Sequence, residues 1–419
     1  MDLVKRLIQK MLPRALYRSL GVPYHSSIAF LSALRYGFPA KKIVVIGVTG
    51  TKGKSSVAEM VASILEEAGH TVAVSSTIHF KTGKTTRPNL FKMTLPGRGF
   101  IQKLLHEALE EGATHAVIEI TSESALQNRH AFLYLDALVF TNLDKEHLES
   151  HGGMENYFRA KFKIGEALVH SSKRPRAIIA TIDNLYGPRF LELPVEKRIP
   201  FSLSDAENIM PTKSGMSFDF DAVHIELPHP GDFSIRNALA AIKTCAFLGV
   251  SVQVSARALR NLSTISGRAE RIEEGQNYLA IVDYAHTPDS LQALYDAYSD
   301  RPKICVLGNT GGGRDTWKRP EMGRIADQNC TEVLLTNEDP YDEDPRKILD
   351  DMASGMVRVP TIIMDRREAI QHALSLAKQG DVVLITGKGT DPYIMEAKGK
   401  KTVWSDAQVV REELRKLHP

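Results

Sequence analysis

Two series of apolar, β-rich runs alternating with helical spacings predict an α/β protein, with a P-loop central domain built on a mostly parallel sheet and a C-terminal Rossmann-like α/β domain. Three observations carry this prediction. "IVVIGVTGTKGKSSVAEM", residues 43–60, passes from a β-branched run through a glycine-rich turn into a helix-like pattern. "TVAVSS", "HAVIEI" and "DALVFTN" continue that series, and "YLAIVDY", "KICVLGN", "TEVLLTN", "TIIMD" and "DVVLITG" form a second one.

At 419 residues the chain is too long for one core. Residues 1–40 read as a short N-terminal helical segment, 41–262 as the central domain and 263–419 as the last, joined by the small polar residues of "RNLSTISGR". A helix is expected from about Lys54 to Ala68. Between about Arg176 and Leu227 short strands and turn residues suggest an antiparallel appendage to the central domain, followed by the helix "SIRNALAAIKTCAFLG", which Gly249 ends.

The opening "MDLVKRLIQKMLPRALYRSLG" spaces Leu3, Val4, Leu7, Ile8 and Met11 helically among Lys5, Arg6, Lys10, Arg14 and Arg18. A helix interrupted near Pro13 and docked on the next domain is the preferred reading, and contact with an anionic membrane surface is the alternative. Charges break any signal-peptide core, and no run of about 18 apolar residues predicts a membrane-spanning helix.

A net charge of +3 with dispersed Lys and Arg argues against nucleic acid as a partner and leaves small anionic substrates open. Cys245, Cys305 and Cys330 lie far apart without a CxxC pair, so neither a disulfide framework nor a zinc site is expected, and a reducing cytoplasm fits.

In the opening turn Gly50 and Gly53 let backbone N–H groups approach an anion, with Thr51 between them. Lys54 supplies a cation, Ser55 or Ser56 a magnesium-binding hydroxyl, and the following helix its N-terminal dipole. The generic GxxxxGK[ST] pattern needs glycine at Val48, so the chain departs from it. A phosphate loop alone does not separate a kinase, a GTPase and a ligase.

"GVTGTKGKSS" resembles the GxTGTxGKT[TS] loop of the Mur ligase family, and further matches continue in order from about residue 43, most like its tripeptide-forming branch. The resemblance implies an ATP- and Mg2+-dependent ligase that phosphorylates a carboxylate and lets an amine attack the acyl-phosphate. It assigns Glu119 to magnesium, and Thr121, Ser122 and Arg129 to the substrate. His147 matches the metal-binding histidine of "NLxxDHLxxHG", with Glu146 for the usual aspartate, and Lys161 in "YFRAK" the carbamylated, metal-holding lysine. Two histidines at i, i+4, His147 and His151, do not by themselves make a metal site.

The same resemblance places Asn237, in "GDFSIRNALAAI", at the adenine. Arg268 and Glu270 fall in "SGRAERI", and Asp283 and His286, in "VDYAHTPDSL", near ribose and phosphates. Arg314, Lys318 and Arg319, in "GGGRDTWKRPEM", bind phosphate, order a loop or are simply solvated. "TNEDPYDEDP" and "GKGTDPY" govern the incoming amino acid through Asp339, Tyr341, Gly387 and Asp391. Tyr341 stands where diaminopimelate-adding relatives carry a carboxylate-gripping arginine, Thr390 and Asp391 replace His-Glu, and Glu123 replaces the usual histidine. Only about 40 residues precede the ATP domain, where such relatives carry a UDP-sugar domain, so the acceptor, a peptide or nucleotide-sugar-peptide, is held differently or is not nucleotide-linked. A folylpolyglutamate-synthase-like ligase and a non-enzymatic ATP-binding subunit are the alternatives.

Overall fold

The computed structural model describes residues 14–97, 99–146, 151–213, 215–313 and 315–418. The chain packs as two compact units. The first comprises the chain up to Leu143, Glu155–Ser202 and Ala240–Ser251; the second comprises Asp144–Met154, Leu203–Leu239 and Val252–Pro419.

The first unit runs α1 (Arg14–Arg35), β1 (Val44–Thr49), α2 (Lys54–Glu67), β2 (Val72–Ser75), β3 (His79–Thr82), β4 (Thr86–Pro88), α3 (Phe100–Glu110), β5 (His115–Glu119), α4 (Ser122–Leu126), β6 (Ala137–Phe140), α5 (Met154–Val169), β7 (Ala177–Thr181), α6 (Gly187–Leu191) and β8 (Lys197–Phe201). Its sheet has the order β4-β3-β2-β5-β1-β6-β7-β8. The strands from β2 to β8 pair in parallel, and β3 and β4 add antiparallel pairs at one edge. β5, β6 and β7 are buried at every position, which is why they read as unbroken apolar runs rather than alternation. α2 buries Val57, Met60, Val61, Ile64 and Leu65, the 3.6-residue stripe, each side chain contributing about 1.5–3 kcal/mol.

α1 docks through Ala29 and Ala33, while Asn128 Nδ2 donates to Ser26 Oγ at 2.6 Å. This agrees with the docked reading for the described part, although the helix runs through Pro23; Leu3, Val4, Leu7, Ile8 and Met11 lie outside the described residues.

One expectation between Arg176 and Leu227 is corrected. β7 and β8 extend the parallel sheet, and only β9 (Glu207–Pro211), β10 (Met216–Phe220) and β11 (Val223–Leu227) form an antiparallel sheet, which packs within the second unit. β8 misleads because it is an edge strand with mostly exposed residues, so it lacks the apolar signature of its neighbours.

The chain continues through α7 (Asp232–Phe247), α8 (Val252–Arg260), β12 (Glu270–Ile272), β13 (Leu279–Asp283), α9 (Pro288–Asp296), β14 (Lys303–Leu307), α10 (Lys318–Asn329), β15 (Glu332–Leu335), α11 (Pro345–Ala353), β16 (Thr361–Ile362), α12 (Arg366–Leu376), β17 (Val382–Thr386), a small hairpin of Tyr393–Met395 with Lys401–Val403, and α13 (Asp406–Leu417). The second unit's main sheet has the order β12-β13-β17-β14-β15-β16 and is parallel apart from β12. Period-two alternation splits its core: Cys305 and Leu307 join Leu291, Tyr295 and Met322 on one face, Ile304 and Val306 join Ile370, Leu374 and Val410 on the other.

The expectation of no disulfide is overturned. Cys305 on β14 is bonded to Cys330, the C-cap of α10, across 25 residues of sequence and 6.1 Å between Cα atoms. Sequence spacing misses such a pair because only the packing of α10 beside β14 brings its ends together. Cys245 is free and buried, and burial pushes its thiol pKa up. Among the described residues no helix is long and apolar enough to cross a membrane.

Candidate active site

β1 lies between β5 and β6, with Val48 opposite Glu119 and Thr49 opposite Phe140. The turn leaving β1 therefore emerges between two other strand ends, the place where open α/β sheets gather ligands. Gly50 has φ +148°, and a Cβ there would stand 2.0 Å from Thr141 Oγ1. Thr51 N donates to Asn142 O at 2.9 Å, Lys52 N to Asn142 Oδ1 at 2.8 Å, and Thr141 Oγ1 to Lys52 O at 2.6 Å. These bonds clasp the turn from the end of β6. Gly53, at φ +78°, leads into α2 without a side-chain cap, an arrangement that suits an anion at the helix N-terminus.

Lys54 Nζ donates to Thr51 O at 2.8 Å and lies 4.0 Å from Glu119 Oε1. Ser55 Oγ donates to Glu119 Oε2 at 2.9 Å, and Thr77 reaches the same carboxylate through its N–H at 3.0 Å and its hydroxyl at 2.9 Å. Glu119 is 2% exposed, so these donors replace the water its charge would otherwise hold. Lys161, on α5, is also buried; its Nζ donates to Gly50 O at 2.6 Å and lies 4.6 Å from the Tyr157 ring centroid. Tyr157 Oη is in turn 3.2 Å from Thr51 Oγ1. The fold thus brings Gly50, Thr51, Gly53, Lys54, Ser55, Glu119 and Lys161 to one point, with Ser56 half-buried in the same helical turn. His147 lies outside the described residues.

Thr121 caps α4 by accepting from Ser124 N, and Ser122 is buried. Arg129 Nη1 donates to Leu95 O at 3.0 Å, and its Nε is buried with no hydrogen-bond partner among the described residues. Burial lowers the Arg129 guanidinium pKa, against the opposing pull of Glu123.

In the second unit the expected residues collect at the C-terminal ends of β13, β17 and β15. Asp283 ends β13 and accepts from Ala269 N and Ala285 N, both at 2.6 Å. Burial nevertheless raises its carboxyl, with those bonds and Arg268 opposing. His286 places Nδ1 2.7 Å from Tyr284 O and Nε2 2.8 Å from Glu146 Oε1. The Arg268 guanidinium sits 4.6 Å from the Tyr284 ring centroid, and the Tyr284 phenol is pushed well above its ordinary value by Asp391 and then by burial. Asn237, on α7, is 9% exposed.

Lys388, fully buried, donates to Asp339 Oδ1 at 2.7 Å and to Tyr393 O at 2.6 Å, and lies 3.7 Å from Asp391 Oδ2. Gly387 has φ +104°, and any Cβ there would collide with Glu338 Oε2 at 2.2 Å. Tyr341 adopts φ +53° and donates its N–H to Met395 O at 3.0 Å. Arg319 is buried and bound to Glu343 and Asp351, and Lys318 donates to His286 O, so both order loops. Arg314 lies outside the described residues.

Residues 48–245 match the Mur ligase middle domain, and residues 267–389 match the Mur ligase, glutamate ligase domain. The chain is 34% identical to a UDP-N-acetylmuramoyl-L-alanyl-D-glutamate--2,6-diaminopimelate ligase of Clostridium tetani (strain Massachusetts / E88), over 94% of this chain and 82% of that protein. The chain belongs to the Mur ligase family. It is an ATP-dependent acid–amino-acid ligase, and it is also similar to a UDP-N-acetylmuramyl-tripeptide synthetase of Roseiflexus sp. (strain RS-1), 34% identical over 93% of this chain and 82% of that protein. A solved UDP-N-acetylmuramoyl-L-alanyl-D-glutamate--2,6-diaminopimelate ligase shares 28% identity with TM-score 0.62, covering 90% of this chain and 79% of that one. Folylpolyglutamate synthase of Mycobacterium tuberculosis, at 15% identity, TM-score 0.71, and 87% and 93% coverage, shares the fold.

Sequence reading of this Mur ligase passed over Thr77, Thr141, Asn142 and Lys388. Thr141 and Asn142 had a signal, a hydroxyl and an amide directly after the apolar run "DALVF". Thr77 and Lys388 carried none, because their partners Glu119 and Asp339 are 42 and 49 residues away. The Ser55 hydroxyl and Glu119 carboxylate are hard oxygen donors within 2.9 Å of each other, a set that fits magnesium.

Proposed function

We propose that this Mur ligase joins an amino acid other than diaminopimelate to the terminal carboxylate of a muramyl-peptide precursor, consuming ATP with Mg2+. The clasped glycine turn with Lys54 beside Ser55 and Glu119 carries the reading. In it the N-terminus of α2 and Lys54 hold the triphosphate, and Ser55, Glu119, His147 and a carbamylated Lys161 would hold magnesium, which when bound neutralises phosphate charge. Lys54 steadies the γ-phosphoryl group as it passes to the substrate carboxylate, breaking the β–γ bridge and releasing ADP. The amine then attacks the acyl carbon, phosphate leaves, and the nitrogen loses a proton.

Thr121, Ser122 and Arg129 are assigned to the acceptor, and the buried Nε of half-buried Arg129, without a partner among the described residues, supports this, since a carboxylate would complete its shell. Asn237, Arg268, Asp283 and His286 are assigned to the nucleotide, and Asp339, Tyr341, Gly387 and Asp391 to the incoming amino acid. Tyr341 offers no bidentate grip for a distal carboxylate. Residues 41–262 and 263–419 are the two catalytic domains in this reading.

The test is ADP release by the purified chain with ATP, Mg2+, a panel of amino acids, and muramyl dipeptides with and without UDP. Release that requires both a carboxylate acceptor and an amino acid supports the proposal; turnover indifferent to both defeats it. Substitution of folate and glutamate for these substrates is the arm that detects a folylpolyglutamate-synthase-like activity.

A further inference from the structure

From Pro23 to Arg35, α1 buries one side and leaves the other bare. Tyr24, Leu31 and Leu34 are 56%, 61% and 56% exposed, on the side opposite the buried Ala29 and Ala33. Helical geometry puts Tyr24, Leu31 and Arg35 within about 40° of one line, with Leu34 beside it. The segment after β4 is bare as well: Leu90, Phe91 and Met93 are all exposed. The two are neighbours, since a Cβ at Gly99 would meet Ser32 Oγ at 1.9 Å, and Phe91 packs at 5.5 Å on Phe100, the first residue of α3.

Charge says what this ridge meets. Residues 1–42 hold eight Lys and Arg (Lys5, Arg6, Lys10, Arg14, Arg18, Arg35, Lys41, Lys42) against the single acid Asp2. The remaining 377 residues are net acidic, 45 basic against 49 acidic, so the chain's entire positive excess sits in this one segment. Arg35, the last residue of α1, and Lys41 and Lys42 in the segment that follows are exposed. A protein partner matching only the apolar side chains leaves that excess unexplained. Exposed apolar side chains with Arg35 on their line, Lys41 and Lys42 just beyond, and a single acid in the first 42 residues make a composition that lies in the headgroup region of an anionic bilayer.

We infer that α1 and the Leu90–Met93 segment dock this chain on an anionic lipid surface, apolar residues entering the interface and the basic residues contacting headgroups. The ridge adjoins the acceptor residues: Asn128 bonds Ser26 of α1, and its neighbour Arg129 contacts Met93 Sδ at 3.4 Å and Leu95 O. Resting on the function proposed above, this means the acceptor is presented at the bilayer.

The test is co-sedimentation of the full chain with phosphatidylcholine vesicles, with or without phosphatidylglycerol, at low and high salt. The expected result is binding to phosphatidylglycerol vesicles that salt weakens, and that falls at least about tenfold in the Leu31→Glu/Leu34→Glu variant. Both residues are exposed, so the variant folds, as circular dichroism will check. Absence from anionic vesicles overturns the inference, as does binding that ignores the variant. A dimer in size-exclusion chromatography that the variant dissolves, with no vesicle binding, also overturns it, because a second copy then covers the ridge. Vesicle-free ADP release with a soluble acceptor is measured alongside: its persistence when sedimentation fails separates loss of docking from loss of the ligase reading.

Discussion

The two units build their strand-end loops by different means. In the first, the glycine turn is shaped by main-chain groups: Thr51 and Lys52 donate backbone N–H groups to Asn142, and glycines take conformations that side chains disfavour. In the second, loops and the helix starts beside them are pinned by buried cations: Lys388 on Asp339, Arg319 on Glu343 and Asp351, Arg366 on Asp406. The contrast follows from what each must do. A turn that receives phosphates at the start of a helix is held from behind, here through the Thr51 and Lys52 N–H groups on Asn142, whereas long loops without regular ladders need internal charge pairs to hold one shape. Removing a side chain should therefore damage chemistry in the first unit and stability in the second.

The largest expected effect breaks the first half of that contrast. Lys54→Ala should lower ADP release about a thousandfold while leaving the thermal midpoint nearly unchanged, since Lys54 is partly exposed, donates to its own turn and stands at a long 4.0 Å from Glu119, whose carboxylate keeps its Ser55 and Thr77 donors. A large fall in midpoint would show that the lysine holds the turn together. Next, Lys388→Met leaves Asp339 buried with its main cation gone and should cost about 3 kcal/mol in denaturant unfolding. Adding Asp339→Asn should recover a good part of that, and no recovery would mean that Lys388 acts through packing alone.

A smaller effect concerns Glu59 on α2, which has Ser76 Oγ at 3.4 Å and His79 Nδ1 at 3.6 Å but, among the described residues, no lysine or arginine in ion-pair contact. Burial raises its carboxyl from 4.5 to about 7. Between those values the unfolded chain loses its proton first, so stability falls as pH rises through this window. Glu59→Gln should thus be the more stable form above pH 7, by on the order of 2 kcal/mol, and lose that advantage below the unfolded value. Urea titrations at several pH values read the difference; a pH-independent gap would refute it. The smallest change is Tyr341→Arg, which should raise kcat/KM for diaminopimelate relative to other amino acids about tenfold. An unchanged ratio would remove Tyr341 from specificity.

The same contrast explains what was legible in the sequence. The parallel strands announced themselves as buried β-branched runs, and the phosphate loop as glycines and a lysine between strand and helix, because both depend on neighbours a few residues away. Lys388, Arg319 and Arg366 look like ordinary surface charges until tertiary packing brings carboxylates 49, 24 and 40 residues distant to them. The Cys305–Cys330 bond and the Thr77 contacts to Glu119 were hidden for that reason. β8 was lost differently, since an edge strand with Lys197 and Arg198 facing outward carries a polar pattern in a parallel sheet.

The Asn142 clasp has a kinetic meaning. A turn moulded at folding need not search for its shape when a nucleotide arrives, so capture is governed by diffusion and charge, and the ordering entropy usual for flexible loops is absent from that step. Asn142→Ala would restore the search: slower association at unchanged chemistry, with a more unfavourable binding entropy in calorimetry.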